Sequence, residues 1–106
     1  VAAVAAGEVT VASRDVELAG VSIRKGEWLG LVDGTPVAGG TDFDDVAAAV
    51  ADRLLGEKRD LLTLLAGRDA PPLDELVERI VAEHADLDVD VQDGGQPHYP
   101  LLLSAE

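Results

Sequence analysis

Polar and apolar residues alternate early in the chain. Val9 and Val11 stand between polar neighbours over 8–13, and the alternation continues through Val16 and Leu18. A period of two predicts half-buried strands. Val21-Ser22-Ile23 leads to a turn at Arg24-Lys25-Gly26, after which 27–32 (Glu-Trp-Leu-Gly-Leu-Val) reads as a strongly apolar strand. Asp33-Gly34 is a hairpin signal because both residues tolerate positive φ. Thr35 to Ala38 forms the return arm, and Pro36 predicts that it is short or on a sheet edge. Gly39-Gly40 breaks the pattern. Phe43, Val46, Ala47, Val50 and Leu54 then recur at helical spacing. Thr41 followed by Asp44 predicts a variant of the capping box, with Asp42, Asp44 and Asp45 suiting the positive end of the helix. Gly56 stops this helix, with Lys58 and Arg59 just beyond.

The run 60–66 (Asp-Leu-Leu-Thr-Leu-Leu-Ala) is short and apolar between two helices, which predicts a central strand buried on both faces. Pro71-Pro72 sets up a second helix start. Leu73, Leu76, Val77, Ile80 and Val81 form its apolar stripe. Leu87-Asp88-Val89-Asp90-Val91 alternates as a strand with one wet face, 93–97 is a turn or loop, and Leu101-Leu102-Leu103 is the final strand. The predicted order is β-β-β, α, β, α, β, β. It describes an α/β fold: a small mixed β-sheet with a leading β-meander and two helices.

A length of 106 residues suits a single domain spanning 1–106. The chain has no Cys and no Met, and it begins at Val1. It therefore reads as an excised segment of a larger protein, with 1–6 the end of a preceding linker or helix. That opening Ala/Val stretch is too short to span a bilayer and lacks the basic start of a signal peptide, so a cytoplasmic location is expected. The net charge of −13, with only eight scattered basic residues, disfavours nucleic acid and membrane insertion. It leaves solubility or a partner with a basic patch as readings.

No reactive set is legible. The Gly-Gly pairs lack the Lys-Ser/Thr of a phosphate loop, and the three serines (Ser13, Ser22, Ser104) lie in no nucleophile elbow. His84 and His98 are fourteen positions apart with no third ligand indicated, so no metal site is expected. His84 reads as the end of the second helix and His98 as a loop residue. The acidic start of the first helix reads as capping rather than calcium binding. Trp28 is either a core residue beneath the hairpin or a partner-facing anchor.

Three phrases, in order, carry a family resemblance. They are Gly7-Glu8-Val9-Thr10 with Ala12 and Arg14-Asp15, then 23–30 (Ile-Arg-Lys-Gly-Glu-Trp-Leu-Gly) before Asp33-Gly34, then Val91-Gln92-Asp93-Gly94-Gly95-Gln96-Pro97-His98-Tyr99-Pro100. Together they resemble the C-terminal region of the ATP-binding subunit of bacterial fatty acid kinase, of the dihydroxyacetone-kinase-like, DegV-associated proteins. Ser13 departs from the apolar residue usual before Arg-Asp. The resemblance implies a DegV-like subdomain that docks a fatty-acid-binding carrier protein of the DegV type and touches other domains of its own chain. It also implies that ATP and Mg²⁺ belong to the parent protein, with no catalytic, cofactor or metal residue in this domain. The parent is then a kinase forming an acyl phosphate, and this piece is its non-catalytic docking domain. The alternative is a DegV-like lipid-binding module holding a fatty acid itself. The residues expected to contact the partner lie in exposed loops: Arg24, Lys25, Glu27, Trp28, Asp93, Gly94, Gly95, Gln96 and Tyr99.

Overall fold

In the computed structural model, residues 5–18, 20–56, 60–68, 70–96 and 100–106 are described. Strands β1 (Ala5–Val11), β2 (Val16–Leu18), β3 (Val21–Ile23), β4 (Trp28–Val32) and β5 (Thr35–Gly40) precede helix α1 (Phe43–Leu54). Strand β6 (Leu61–Ala66), helix α2 (Asp74–Glu83), β7 (Asp88–Asp93) and β8 (Leu101–Ala105) follow. The result is a mixed α/β fold with a six-stranded sheet in the order β5-β4-β1-β8-β6-β7 and a separate hairpin β2-β3. All pairs in the large sheet are antiparallel except β6-β7, which α2 connects as a crossover.

Gly7 and Gly30 show which face the helices cover. A Cβ on Gly30 would lie 2.5 Å from Val50 Cγ2, and one on Gly7 2.6 Å from Val50 Cγ1. Residues in register with these two, such as Val9, Leu101, Leu103, Leu62 and Leu64, point the same way and are buried. They form one core with Val46, Val50 and Leu54 of α1 and Leu76 and Ile80 of α2. A smaller core of Ala12, Ile23 and Leu29 lies on the other face, where the β2-β3 hairpin packs over β4 and β5. At the tip of the β4-β5 hairpin, Asp33 (φ 51°) and Gly34 (φ 78°) both adopt positive φ, as the Asp-Gly pair predicts.

Several expectations need correction. The leading meander has more strands than anticipated, because Val16–Leu18 does not continue β1 but pairs with Val21–Ile23 away from the large sheet. Ala5 and Ala6, assigned to a linker or helix, pair with Ala105 and Ser104 inside the sheet. The Gly39-Gly40 break is still strand, since Gly40 pairs with Trp28. The cap of α1 is Asp42 rather than Thr41, its carboxylate accepting from the N–H groups of Asp44 and Asp45 at 2.9 and 3.3 Å. Asx geometry there satisfies two of the helix's orphan donors at once. Leu73 stands one residue before α2 instead of within it and caps it without a side-chain hydrogen bond. Strand β6 is buried on one face only: Leu62 and Leu64 face the helices, whereas Leu61, Thr63 and Leu65 are half-buried. Val91, on the helix-facing side of β7, is 46% exposed, because this edge strand extends beyond α2's cover. Lys58 and Arg59, expected beyond α1, lie outside the described residues.

Candidate docking site at the carboxyl ends of the strands

The registers place the expected contact loops on one end of the sheet. Val11 at the end of β1 pairs with Trp28 at the start of β4, and Trp28 pairs with Gly40 at the end of β5. Ala66 at the end of β6 pairs with Asp93 at the end of β7 and with Leu101 at the start of β8. Both helices begin at this same end, because each follows a strand that finishes there. It is the end at which open α/β sheets place their ligands. Between β4 and β7 stand β1, β8 and β6, so the two expected loops are roughly 19 Å apart at ordinary strand spacing. Topology brings them to a common end without bringing them into contact.

The first loop is tightly tied. Ala12 N–H donates to Glu27 O at 2.8 Å, Gly26 N–H to Ala12 O at 2.9 Å, and Glu27 N–H to Arg24 O at 3.0 Å. The Glu27 carboxylate accepts from Arg24 N–H at 2.7 Å, and Asp15 accepts from Lys25 N–H at 2.9 Å. Glu27 thus shapes the turn, while Arg24 and Lys25 are exposed. Trp28 is half-buried, its ring 4.9 Å from that of Phe43 in an edge-to-face arrangement. That favours the core role for Trp28.

The second loop folds back over β6. Gly94 and Gly95 both donate to Ala66 O, at 2.8 and 3.1 Å, and Gln96 Nε2 donates to Leu65 O at 3.0 Å. Arg68 N–H donates to Gln96 O at 3.1 Å. Gly95 has φ 62°, and a Cβ on Gly94 would lie 2.7 Å from Leu65 Cγ, so this glycine pair permits the close approach. Asp93, Gly94 and Gly95 are exposed at the rim. Tyr99 and His98 lie outside the described residues.

Sequence reasoning missed a third feature of this end. Between the starts of α1 and α2 lies a cleft of about 470 Å³, lined by Phe43, Pro71 and Pro72 with Asp42, Asp44, Asp74 and Glu75. The acidic residues were visible as helix-start signals, but only the fold sets the two starts side by side. This end presents backbone groups at strand ends, exposed charges and a small apolar surface.

Along the helices, Arg79 of α2 pairs with Asp45 of α1 at 2.8 Å. The hydrogen bond to that carboxylate, the largest influence, raises the Arg79 pKa further above its ordinary value. His84 ends α2, as expected, and its Nε2 lies 3.2 Å from Asp52 Oδ1. Glu83 joins them, so that ligand-type atoms of the three residues fall within 4.8 Å of one another. The His84–Asp52 contact ties the ends of the two helices together and accounts for this approach.

Comparison with known proteins decides the family. The model describing the C-terminal region of FakA-like fatty acid kinase proteins matches residues 1–106. The chain belongs to this family. It is 38% identical over 105 residues to an uncharacterized protein of Staphylococcus haemolyticus, covering 97% of this chain and 19% of that protein. It is 31% identical over 105 residues to an uncharacterized protein of Staphylococcus aureus strain USA300, with the same shares covered. This FakA-like C-terminal chain thus spans about a fifth of the length of the relatives it matches. Among the described residues, no helix is long and apolar enough to cross a membrane.

Proposed function

We propose that this chain is the non-catalytic docking domain of a fatty-acid-kinase-type ATP-binding protein, and that it receives a DegV-like fatty-acid carrier so that the bound acyl carboxylate can be phosphorylated elsewhere in the parent protein. The observation that carries this reading is the family match over the whole chain. The gathering of Arg24, Lys25, Asp93, Gly94 and Gly95 at one end of the sheet supports a contact surface there. A footprint reaching both loops is broad enough for an ordinary protein interface of about 800 Å² per partner. The net charge of −13 favours a partner with a basic patch, and attraction of that kind weakens as salt rises. ATP and Mg²⁺ belong, on this reading, to the rest of the parent, and the domain works in the cytoplasm.

The test is calorimetric titration of the 106-residue chain with a DegV-like carrier at low salt. Binding is expected, weakened by Asp93→Lys or by Gly94→Trp. No binding at low salt, with the chain shown to be folded by circular dichroism, refutes the proposal. Fatty acid carried by the chain itself in native mass spectrometry would favour a lipid-holding module instead.

A further inference from the structure

Strand β7 stands at the end of the large sheet, with β6 on one side and, among the described residues, no strand on the other. Its parallel ladder to β6 runs unbroken over Asp88–Asp93. Asp88 N–H donates to Asp60 O at 2.9 Å and Gly94 N–H to Ala66 O at 2.8 Å, so the even-numbered residues turn their backbone groups toward β6. The direction alternates along a strand, and the N–H and C=O groups of Val89, Val91 and Asp93 therefore point outward.

Edges are ordinarily blunted by proline, bulges or a covering element. The opposite edge has all three: β5 contains Pro36, its register with β4 shifts at Gly30/Leu31, and β3 packs against it. Strand β7 has no proline and no shift of register. Its guard is charge, with Asp88 and Asp90 exposed on the face turned from the helices. Carboxylates there repel an acidic segment and attract a basic one, which makes the edge selective rather than closed.

An apolar strip borders this edge. Val89 and Val91 face the helix side, since they pair with the buried Leu62 and Leu64, and Val91 is 46% exposed. On α2, Arg79 reaches Asp45 and Glu83 approaches Asp52, both of α1. Val81 is two residues from each, about 200° round the helix, so it turns away from α1 toward the β7 side. It is 43% exposed, and Val77 lies half-buried one turn before it. Outward main-chain groups beside an apolar strip on one face and carboxylates on the other are what an added strand uses: the backbone supplies affinity and alternate side chains supply selectivity. A second copy of this chain fits poorly, because pairing two β7 edges gathers Asp88 and Asp90 of both copies on one face, with a net charge of −13 each.

We propose that the outer edge of β7 receives an extended segment of the carrier as an added strand, its aliphatic residues against Val81, Val89 and Val91 and its alternating Lys or Arg residues against Asp88 and Asp90. This deepens the docking reading and rests on it: the edge ends at Asp93, where the surface assigned to the carrier begins.

The test is residue-resolved amide exchange on the 106-residue chain, alone and with a DegV-like carrier at low salt. The Val89, Val91 and Asp93 amides should exchange readily in the chain alone and about ten-fold more slowly at nine-tenths occupancy by carrier. Val91→Pro removes an outward N–H and leaves the ladder to β6 whole, so it should bind about ten-fold or more weakly, whereas Val91→Thr keeps the N–H and should bind within about three-fold of wild type. Val81→Glu, at an exposed helix position that tolerates the change, adds negative charge that steering alone would turn into tighter binding to a basic partner. The added strand requires the reverse, a several-fold loss, and this variant decides the matter if Val91→Pro does not fold. Carrier binding that leaves the three amides fast, folded Val91→Pro binding like wild type, or tighter binding by Val81→Glu overturns the added strand while the docking role stands. Amides already slow in the chain alone, or slowed by self-association without carrier, overturn it too. No binding of carrier to the folded chain overturns the docking role and the added strand together.

Discussion

Replacing Gly30 with alanine tests the packing of α1 on the sheet. Gly30 sits on β4 between Val9 and Ala38, and the added Cβ would meet Val50 Cγ2 at 2.5 Å and Val46 Cγ1 at 3.1 Å. Carbon atoms pack at about 3.5–4.0 Å, so the first contact is roughly 1 Å too short. Val50 cannot turn away cheaply, because a β-branched side chain in a helix has one strongly preferred rotamer. Either α1 lifts or the strand bends. Overpacking of this kind costs about 1–3 kcal/mol, and alanine returns part of that, about 0.5–1 kcal/mol, by restricting the unfolded chain. The net expectation is a destabilisation of about 1–2 kcal/mol, read as a lower urea midpoint and a melting temperature reduced by roughly 5–15 °C. The decisive arm is the double mutant with Val50→Ala. If the clash is the cause, Val50→Ala should harm the Gly30→Ala protein less than the wild type, with a coupling above about 0.5 kcal/mol. A Gly30→Ala protein as stable as wild type, or additive effects of the two changes, would refute the account.

Asp42→Ala should lower stability by about 0.5–2 kcal/mol through loss of both capping bonds at the start of α1, while Asp42→Asn retains most of it; thermal melts distinguish the two. Arg79→Ala should shift the melting temperature only slightly, and less at high salt, since the pair it forms with Asp45 is 45% and 66% exposed. The folded-state pKa of Arg79 is raised, so its contribution is fully present below the ordinary guanidinium value and would be lost only as pH rises through the still higher folded one. A melting series at neutral and mildly alkaline pH should therefore show wild type and Arg79→Ala changing in parallel.

Elements with a strong local period were legible. The stripes of α1 and α2, the alternation of β7 and the Asp33-Gly34 turn all stand in the structure where the pattern puts them, within two residues at their ends. The departure of β2 does have a signal in the sequence. The valines of β1 fall at odd positions, Val9 and Val11, whereas Val16 and Leu18 fall at even ones. A change of phase means that the strand cannot continue on the same face. The cap of α1 turned on which of several adjacent polar residues adopts extended backbone, and composition does not distinguish Thr41 from Asp42. The close approach at Gly7 and Gly30 was invisible as well, because a glycine in a strand does not say which helix will press on it. For the candidate site, the individual loops could be named from turn chemistry. Their shared end, and the cleft between the two helix starts, depend on strand order, which no local pattern encodes.

Strand β8 lies between β1 and β6, and among the described strands it alone pairs the two halves of the large sheet. Its partners are far apart in sequence, Ala5 with Ala105 at one extreme. On a ribosome, the residues of β1 therefore wait almost the whole synthesis of this domain for their second neighbour. Until then β1 and β6 each offer a bare edge of the kind that invites association with other chains. Closure by so distant a strand makes assembly slow compared with a helical domain of this size, and it leaves the joining of the sheet to the last of its strands to be made.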